Sequence, residues 1–177
     1  MKIGRSKQIK KQLQLLDQLF KIKAPYKILI DGSFLSSWRL QRLPESHFST
    51  FFKAPCNIMI TSCCLKELKL VAASNPKAEY LHEAVKLATQ MKVVKCSCAP
   101  DTSASNCILS QIGPKNSQKY FVATQDKKLR KDLSKVSSCL TIFVTRGNVL
   151  LLDEQSLFQG KTEQKDDKKV ARGENNE

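Results

Sequence analysis

Three acidic residues occupy positions where carboxylates can hold a catalytic metal. Asp31 and Asp126 each come just after a short apolar run, and Glu67 lies on a helix predicted to follow a third such run. Nucleases that use a divalent metal hold it with several carboxylates, because Mg²⁺ prefers oxygen ligands, and the metal then activates water and stabilises charge on the phosphate. An Asp after a strand is equally suited to cap a helix, and a single Glu on a helix is usually solvated. Spacing alone therefore supports both interpretations.

Cysteines form a second group that could do chemistry. The chain has seven of them and no secretory signal, so they are expected to ligate metal or to stay buried and reduced rather than to form disulfides. Cys96 and Cys98 are one residue apart, which is tighter than the usual spacing in zinc sites. The spacing leaves open a zinc site and a set of buried thiols. Cys56 and Cys139 are expected in the core.

The charge of the chain favours a polyanionic partner. It has 30 Lys or Arg against 16 Asp or Glu, a formal net charge of +14, and the excess is clustered in residues 1–27 and 115–135. Such clusters attract nucleic acid through counterion release. Contacts of this kind position RNA on its phosphates without reading its sequence. The residues predicted to make them are Lys2, Arg5, Lys7, Lys10, Lys11, Lys127, Lys128, Arg130 and Lys131.

Base reading would need other residues, because unpaired RNA bases usually stack on aromatic rings or on Arg planes. The possible platforms are Tyr26, Trp38, Arg39 and Phe48. Trp38 lies two helical turns after Asp31, which favours core packing for that ring.

Apolar runs typical of strands alternate along the chain with patterns typical of helices. Strands are expected at 26–30, 57–61, 93–94, 119–124, 140–144 and 149–152. Helices are expected at 6–20, 34–40, 62–71, 76–91, 108–112 and 126–133, with a polar loop at 97–106. This alternation predicts an α/β fold with a mainly parallel sheet flanked by helices. Ligands of such sheets gather beyond the carboxyl ends of the strands, so the three acids are expected to converge on one edge.

The chain is expected to divide into three parts. Residues 1–24 form a basic helical arm, whose apolar stripe is an alternative docking element for a protein, residues 25–153 form the α/β domain, and residues 154–177 form a disordered charged tail. No run of eighteen apolar residues exists, so no membrane span is predicted. No apolar segment follows the basic start, so no secretory signal is predicted.

Three segments occur in an order that resembles a known family. They are 28–34 (Ile-Leu-Ile-Asp-Gly-Ser-Phe), 61–68 (Thr-Ser-Cys-Cys-Leu-Lys-Glu-Leu) and 120–126 (Tyr-Phe-Val-Ala-Thr-Gln-Asp). They resemble the PIN domain, and within it the two ribosome-biogenesis members of the small-subunit processome, the U-three-protein-twenty-three and Fcf-one types. The former is the closer match, because of Pro25-Tyr26, the basic start and Gln125. The resemblance covers about residues 1–153.

The resemblance implies a PIN fold with an embedded CCHC-type zinc finger. Its ligands match Cys63, Cys96, Cys98 and Cys107, so the finger here would be CCCC, and Zn²⁺ accepts four thiolates readily. Cys64 is an alternative first ligand, because one helical residue turns it by about 100°. The resemblance also implies binding to pre-rRNA and a small nucleolar RNA, together with other processome proteins, in the nucleolus of the nucleus.

The same resemblance predicts that the nuclease site is degenerate. Active relatives carry Ala-Asp-Asp-Cys where this chain has Ala104, Ser105, Asn106 and Cys107, and a further acid where it has Lys128. An ammonium there would oppose Mg²⁺ binding. We therefore expect an RNA-binding assembly factor without catalysis. The alternatives are an endoribonuclease that uses Mg²⁺ or Mn²⁺ on the three acids, and a protein-interaction module whose basic arm serves nucleolar retention.

Overall fold

A computed structural model describes residues 3–153, with side chains from Ser6 onward; Lys2, the Arg5 side chain and the predicted tail 154–177 lie outside the described part. Helices and strands alternate through it. They are α1 (Ile3–Phe20), β1 (Tyr26–Ile30), α2 (Gly32–Leu40), α3 (His47–Phe52), β2 (Cys56–Thr61), α4 (Ser62–Ser74), α5 (Glu79–Gln90), β3 (Lys92–Val94), α6 (Ala104–Ile112), β4 (Tyr120–Ala123), α7 (Lys127–Leu133), β5 (Thr141–Val144) and β6 (Leu150–Asp153). None of the described helices is long and apolar enough to cross a membrane.

One six-stranded sheet organises these elements, in the order β3-β2-β1-β4-β5-β6. The first five strands are parallel, and only β6 runs antiparallel, against β5. Strands of a parallel sheet are covered on both faces, which explains the continuous apolar runs of β1 and β4. The predicted fold class is confirmed. Strand β1 pairs with both β2 and β4, so the strand order reverses between β1 and β4. Asp31 follows β1, and Asp126 follows β4.

Helix α1 packs on the domain core. Ile9 and Leu16 are buried, and Leu13 and Phe20 pack against the same core. Burial of a Leu side chain contributes about 2 kcal/mol, so this stripe stabilises the domain. The apolar stripe proposed as a docking element is therefore occupied largely by the domain itself.

Helix α3 was not predicted, because its sequence of mixed polar and aromatic residues lacks a clear helical period. It buries Phe48, Phe51 and Phe52. Two predicted boundaries also move. A turn in which the Ala78 N–H donates to the Asn75 carbonyl delays α5 until Glu79. The Ser103 side chain caps α6, so that helix begins inside the predicted loop.

The prediction of base-stacking platforms is wrong for the aromatic residues. Trp38 and Phe48 are each only 1% exposed, and their rings contact each other at 5.0 Å between centroids. Tyr26 is buried against Phe52 and β4. Arg39 is half-buried and forms an ion pair with Glu83, with Nη2 at 3.0 Å from Oε2. Burial of a large aromatic ring removes much apolar surface from water, so these rings fill the core.

Candidate metal centre and carboxylate edge

Asp31 lies at the end of β1, where the next residues turn into α2. Its carboxylate is 6% exposed and accepts hydrogen bonds from the hydroxyls of Ser33 and Thr124, the latter at 3.0 Å. Burial raises the pKa of Asp31, and the hydroxyl hydrogen bonds oppose that rise without cancelling it. The charge of Glu67 also raises this pKa, so the two acids lie close enough to interact. The protein thus holds Asp31 in place with neutral donors.

Asp126 lies just beyond β4 and caps α7. Its Oδ1 accepts the backbone N–H of Lys128 at 2.8 Å, and its Oδ2 accepts the hydroxyl of Ser105 at 3.3 Å. The backbone N–H of Asp126 donates to Thr124, the same hydroxyl that contacts Asp31. The Thr124 hydroxyl therefore links the Asp31 carboxylate to the backbone of Asp126. Both functions considered for Asp126, helix cap and member of an acidic edge, are combined in one side chain.

Glu67 lies on the exposed face of α4, one turn beyond Cys63. Its Oε2 accepts the backbone N–H of Ala104 at 2.9 Å. Ala104 is the first residue of α6, and a carboxylate at a helix N-terminus satisfies an unpaired N–H and interacts favourably with the helix dipole. Glu67 is thus more than a solvated helix residue, because it joins α4 to the start of α6.

The three acids share one edge of the sheet but do not form a tight group. Among the described residues, the cysteine cluster is the one set of three or more ligand side chains close enough to share an ion. Each acid accepts hydrogen bonds from the protein instead. The hydroxyls that organise this edge, Ser33 and Thr124, were missed from sequence. Both hydroxyls lie beside acids that follow strands, in the segments 28–34 and 120–126, and these positions could have indicated their role.

Four cysteines come together at the same end of the sheet. The Sγ atoms of Cys63, Cys96, Cys98 and Cys107 all lie within 4.8 Å of one another, and those of Cys63 and Cys96 are 3.5 Å apart. Tetrahedral zinc with Zn–S bonds of about 2.3 Å needs sulfur atoms about 3.8 Å apart. The set therefore fits a tetrahedral metal ion, and the predicted grouping of these thiols is confirmed.

Cys64 does not belong to the cluster. It is 1% exposed, and its Sγ lies 3.9 Å from the carbonyl oxygen of Ala104. The hydroxyl of Thr61 caps α4 by accepting the Cys64 N–H at 3.1 Å, which fixes the turn that sends Cys63 outward and Cys64 inward. Burial raises the pKa of Cys64 to about 12. Cys139 is buried as predicted, and Cys56 is half-buried and packs against the core.

Protonation differs between the clustered thiols. Burial alone would raise the pKa of Cys96, but hydrogen bonds with Cys63, Cys107 and Cys98 outweigh it and lower that pKa to about 7. Burial raises the pKa of Cys63 and of Cys107. Zinc binds thiolates, so a metal at this cluster would displace protons, and its affinity would rise with pH.

The cluster and the carboxylate edge have helices α4 and α6 in common. Helix α4 supplies Cys63 and Glu67, and α6 supplies Cys107 together with the Ala104 N–H and the Ser105 hydroxyl. A metal bound to the thiols would hold the start of α6 against α4. The position of the edge groups therefore depends on the geometry of the cluster.

The predicted phosphate contacts fall on two parts of the surface. Lys127, Lys128 and Lys131 are exposed on α7, which begins at the acidic edge. On α1, Lys7, Lys10 and Lys11 are exposed, and the first two line a groove of about 720 Å³ that also contains Tyr26. Tyr26 begins β1, so this groove lies toward the opposite edge of the sheet.

The sheet order and the acids at its switch point define a PIN domain. A solved structure described as the PIN domain endonuclease Utp24 superposes with a TM-score of 0.64 at 21% identity, covering 75% of this chain and 94% of that one. A family model described as Fcf1 matches residues 50–154. The chain belongs to the Fcf1 family. It is also 28% identical over 155 residues to the rRNA-processing protein utp23 of Schizosaccharomyces pombe, covering 85% of this chain and 57% of that protein.

Proposed function

We propose that this chain is an RNA-binding factor in the processing of pre-rRNA for the small ribosomal subunit, and that its PIN site does not cleave RNA. Membership of the Fcf1 family and the likeness to an rRNA-processing protein support the biological process. This chain spans about 57% of the length of that relative. The activity and partners of this chain are therefore proposed. Its partners are pre-rRNA, a small nucleolar RNA and proteins of the small-subunit processome, in the nucleolus.

The absence of cleavage is proposed because all three acids already accept hydrogen bonds within the protein. Glu67 and Asp126 accept backbone N–H groups at the starts of α6 and α7, and Asp31 is buried among hydroxyls. Ser105 stands where active relatives carry an acid, and its hydroxyl donates a hydrogen bond to Asp126 instead of offering a negative ligand. Catalytic Mg²⁺ in a nuclease site of this kind is held by several carboxylates, and among the described residues no three acids lie close enough to share an ion.

RNA would be held by phosphate contacts at both ends of the sheet. Exposed lysines of α7 lie beside the acidic edge, and exposed lysines of α1 lie near the start of β1. Lys128 follows Asp126 closely, so its ammonium can contact a phosphate where a metal would otherwise stand. The lysines would give affinity and a strong salt dependence.

Zinc at the four thiols would give this surface its shape. Cys63, Cys96, Cys98 and Cys107 would hold the ion, which supplies folding energy in a closed four-ligand site. The segment between β3 and α6 is largely polar, and it has few apolar side chains to anchor it. The thiols of Cys96 and Cys98 are positioned to tie this segment to α4.

One sample tests both parts of the proposal. Binding to a structured pre-rRNA fragment is measured against salt, and cleavage of the same RNA is measured with Mg²⁺ and with Mn²⁺. We expect binding that weakens steeply with salt and no cleavage. Cleavage that Asp31→Asn abolishes would establish the endoribonuclease alternative, and salt-insensitive or absent binding would favour a protein-interaction module.

A further inference from the structure

Arg130 stacks on the ring of Phe143. Its guanidinium carbon lies 4.0 Å from the ring centroid, and both side chains are half-buried. Arg130 is in the middle of α7, and Phe143 is on β5, the strand that follows that helix. The guanidinium group therefore lies in van der Waals contact over the ring.

The ring contact, rather than an ion pair, determines how this guanidinium lies. Within residues 6–153, no carboxylate forms an ion pair with Arg130, and its Nε–H is buried without a hydrogen-bond acceptor. The nearby acids are engaged elsewhere. Asp126 accepts from Lys128 and Ser105, and Asp132 pairs with Lys135 at 2.9 Å. A guanidinium paired with a carboxylate would be turned edge-on toward it, whereas the contact that positions this one is a cation–π contact with the ring at 4.0 Å.

We propose that Arg130 and Phe143 form a stacking subsite for one unpaired nucleobase of the bound RNA. This inference rests on the proposed RNA-binding function and adds a base contact to it. An Arg side chain that packs on a ring and remains partly exposed can accept a base against its guanidinium plane, and every base has a π-face that such a plane accepts. The subsite thus selects single-stranded RNA without selecting a sequence.

The neighbours of Arg130 suit the same ligand. Lys127 lies one turn earlier on α7 and Lys131 one residue later, and both are exposed. They can hold phosphates on either side of the stacked nucleotide. Arg130 therefore has a role different from that of its lysine neighbours, which were grouped with it as phosphate contacts from sequence.

The variant Arg130→Lys separates the two roles, because it keeps the charge and removes the plane. The probe is a twelve-nucleotide single-stranded RNA that contains 2-aminopurine, and the dissociation constant is measured at several salt concentrations. We expect Arg130→Lys to weaken binding about fivefold to tenfold and to abolish the stacking-dependent quenching of 2-aminopurine. Its salt slope should match that of the wild-type chain, since the charge is retained.

Lys131→Gln is the matched control on the same helix. It should reduce the salt slope by about 0.7 for a single strand and leave the quenching intact. Phe143→Leu provides a second variant that keeps an apolar side chain under the guanidinium, and it should reproduce the loss of quenching. Thermal unfolding of each variant verifies that the fold is retained.

Two results overturn the inference. If the wild-type chain binds the RNA and Arg130→Lys shows the same affinity and the same quenching, RNA binding is established and the subsite is refuted. An equal loss by Arg130→Lys on an RNA with abasic positions would assign Arg130 to phosphate instead. If the wild-type chain binds none of these RNAs, the proposed function fails together with the subsite.

Discussion

Replacement of Glu67 distinguishes a structural carboxylate from a vestigial metal ligand. Its Oε2 accepts the N–H of Ala104 at 2.9 Å, which satisfies one of the free donors at the start of α6. A capping interaction of this kind stabilises a protein by about 1 kcal/mol. Glu67→Ala should therefore lower the free energy of unfolding by about 1 kcal/mol, or the thermal midpoint by about 3 °C in a domain of this size.

The conservative variant Glu67→Gln sharpens that prediction. The amide oxygen can still accept the Ala104 N–H, so this variant should retain more than half of the stability that Glu67→Ala loses. Urea denaturation followed by circular dichroism measures both variants, and Lys69→Ala on the same helix is the control, with an expected change within about 0.5 kcal/mol. Equal losses of stability in the Gln and Ala variants would refute the capping role. Stabilisation of the wild-type chain by Mg²⁺, with no such stabilisation of Glu67→Gln, would refute it as well.

Three further predictions concern metal, charge and packing. The purified protein should contain about one zinc per chain by elemental analysis, and Cys107→Ser should remove it and lower the thermal midpoint by roughly 10 °C. Asp31→Asn should stabilise the protein at neutral pH, because burial raises the pKa of Asp31 above its ordinary 3.8. The stability of the wild-type chain should fall relative to the variant as pH rises from 3.8 through that raised pKa, and should then stay constant. The opposite trend in urea titrations at several pH values would contradict this sign. Leu16→Ala should cost about 3 kcal/mol in denaturation experiments, since this side chain is fully buried between α1 and the core.

The strands were predictable because a parallel sheet imposes a simple pattern. Strands β1 and β4 are covered on both faces except at the exposed Lys27, so their other residues are apolar without alternation, and the runs could be found without knowing the pairing. Helix α3 could not be found in this way. It buries Phe48, Phe51 and Phe52, and a segment of six mixed aromatic and polar residues is too short to show a helical period.

The site was predictable in its residues and less so in their interactions. The resemblance identified the four clustered cysteines, but the choice of Cys63 over Cys64 depends on the Thr61 cap, which places one thiol outward. Sequence also gave Glu67 no partner, because the Ala104 N–H lies thirty-seven residues away along the chain. Long-range backbone contacts of this kind carry no periodic signal, and only the packed structure provides them.

A separate anchor for α4 and α6 has a bearing on how this edge can change over evolutionary time. The thiol cluster draws on α4, on the segment after β3 and on α6, and a metal there would hold them together whatever the neighbouring carboxylates do. Substitutions at Ser105, Asn106 or Lys128 can then accumulate without loosening the surface around them. Under the proposed function, the nuclease site could lose its acids one at a time while the RNA-binding surface kept its shape.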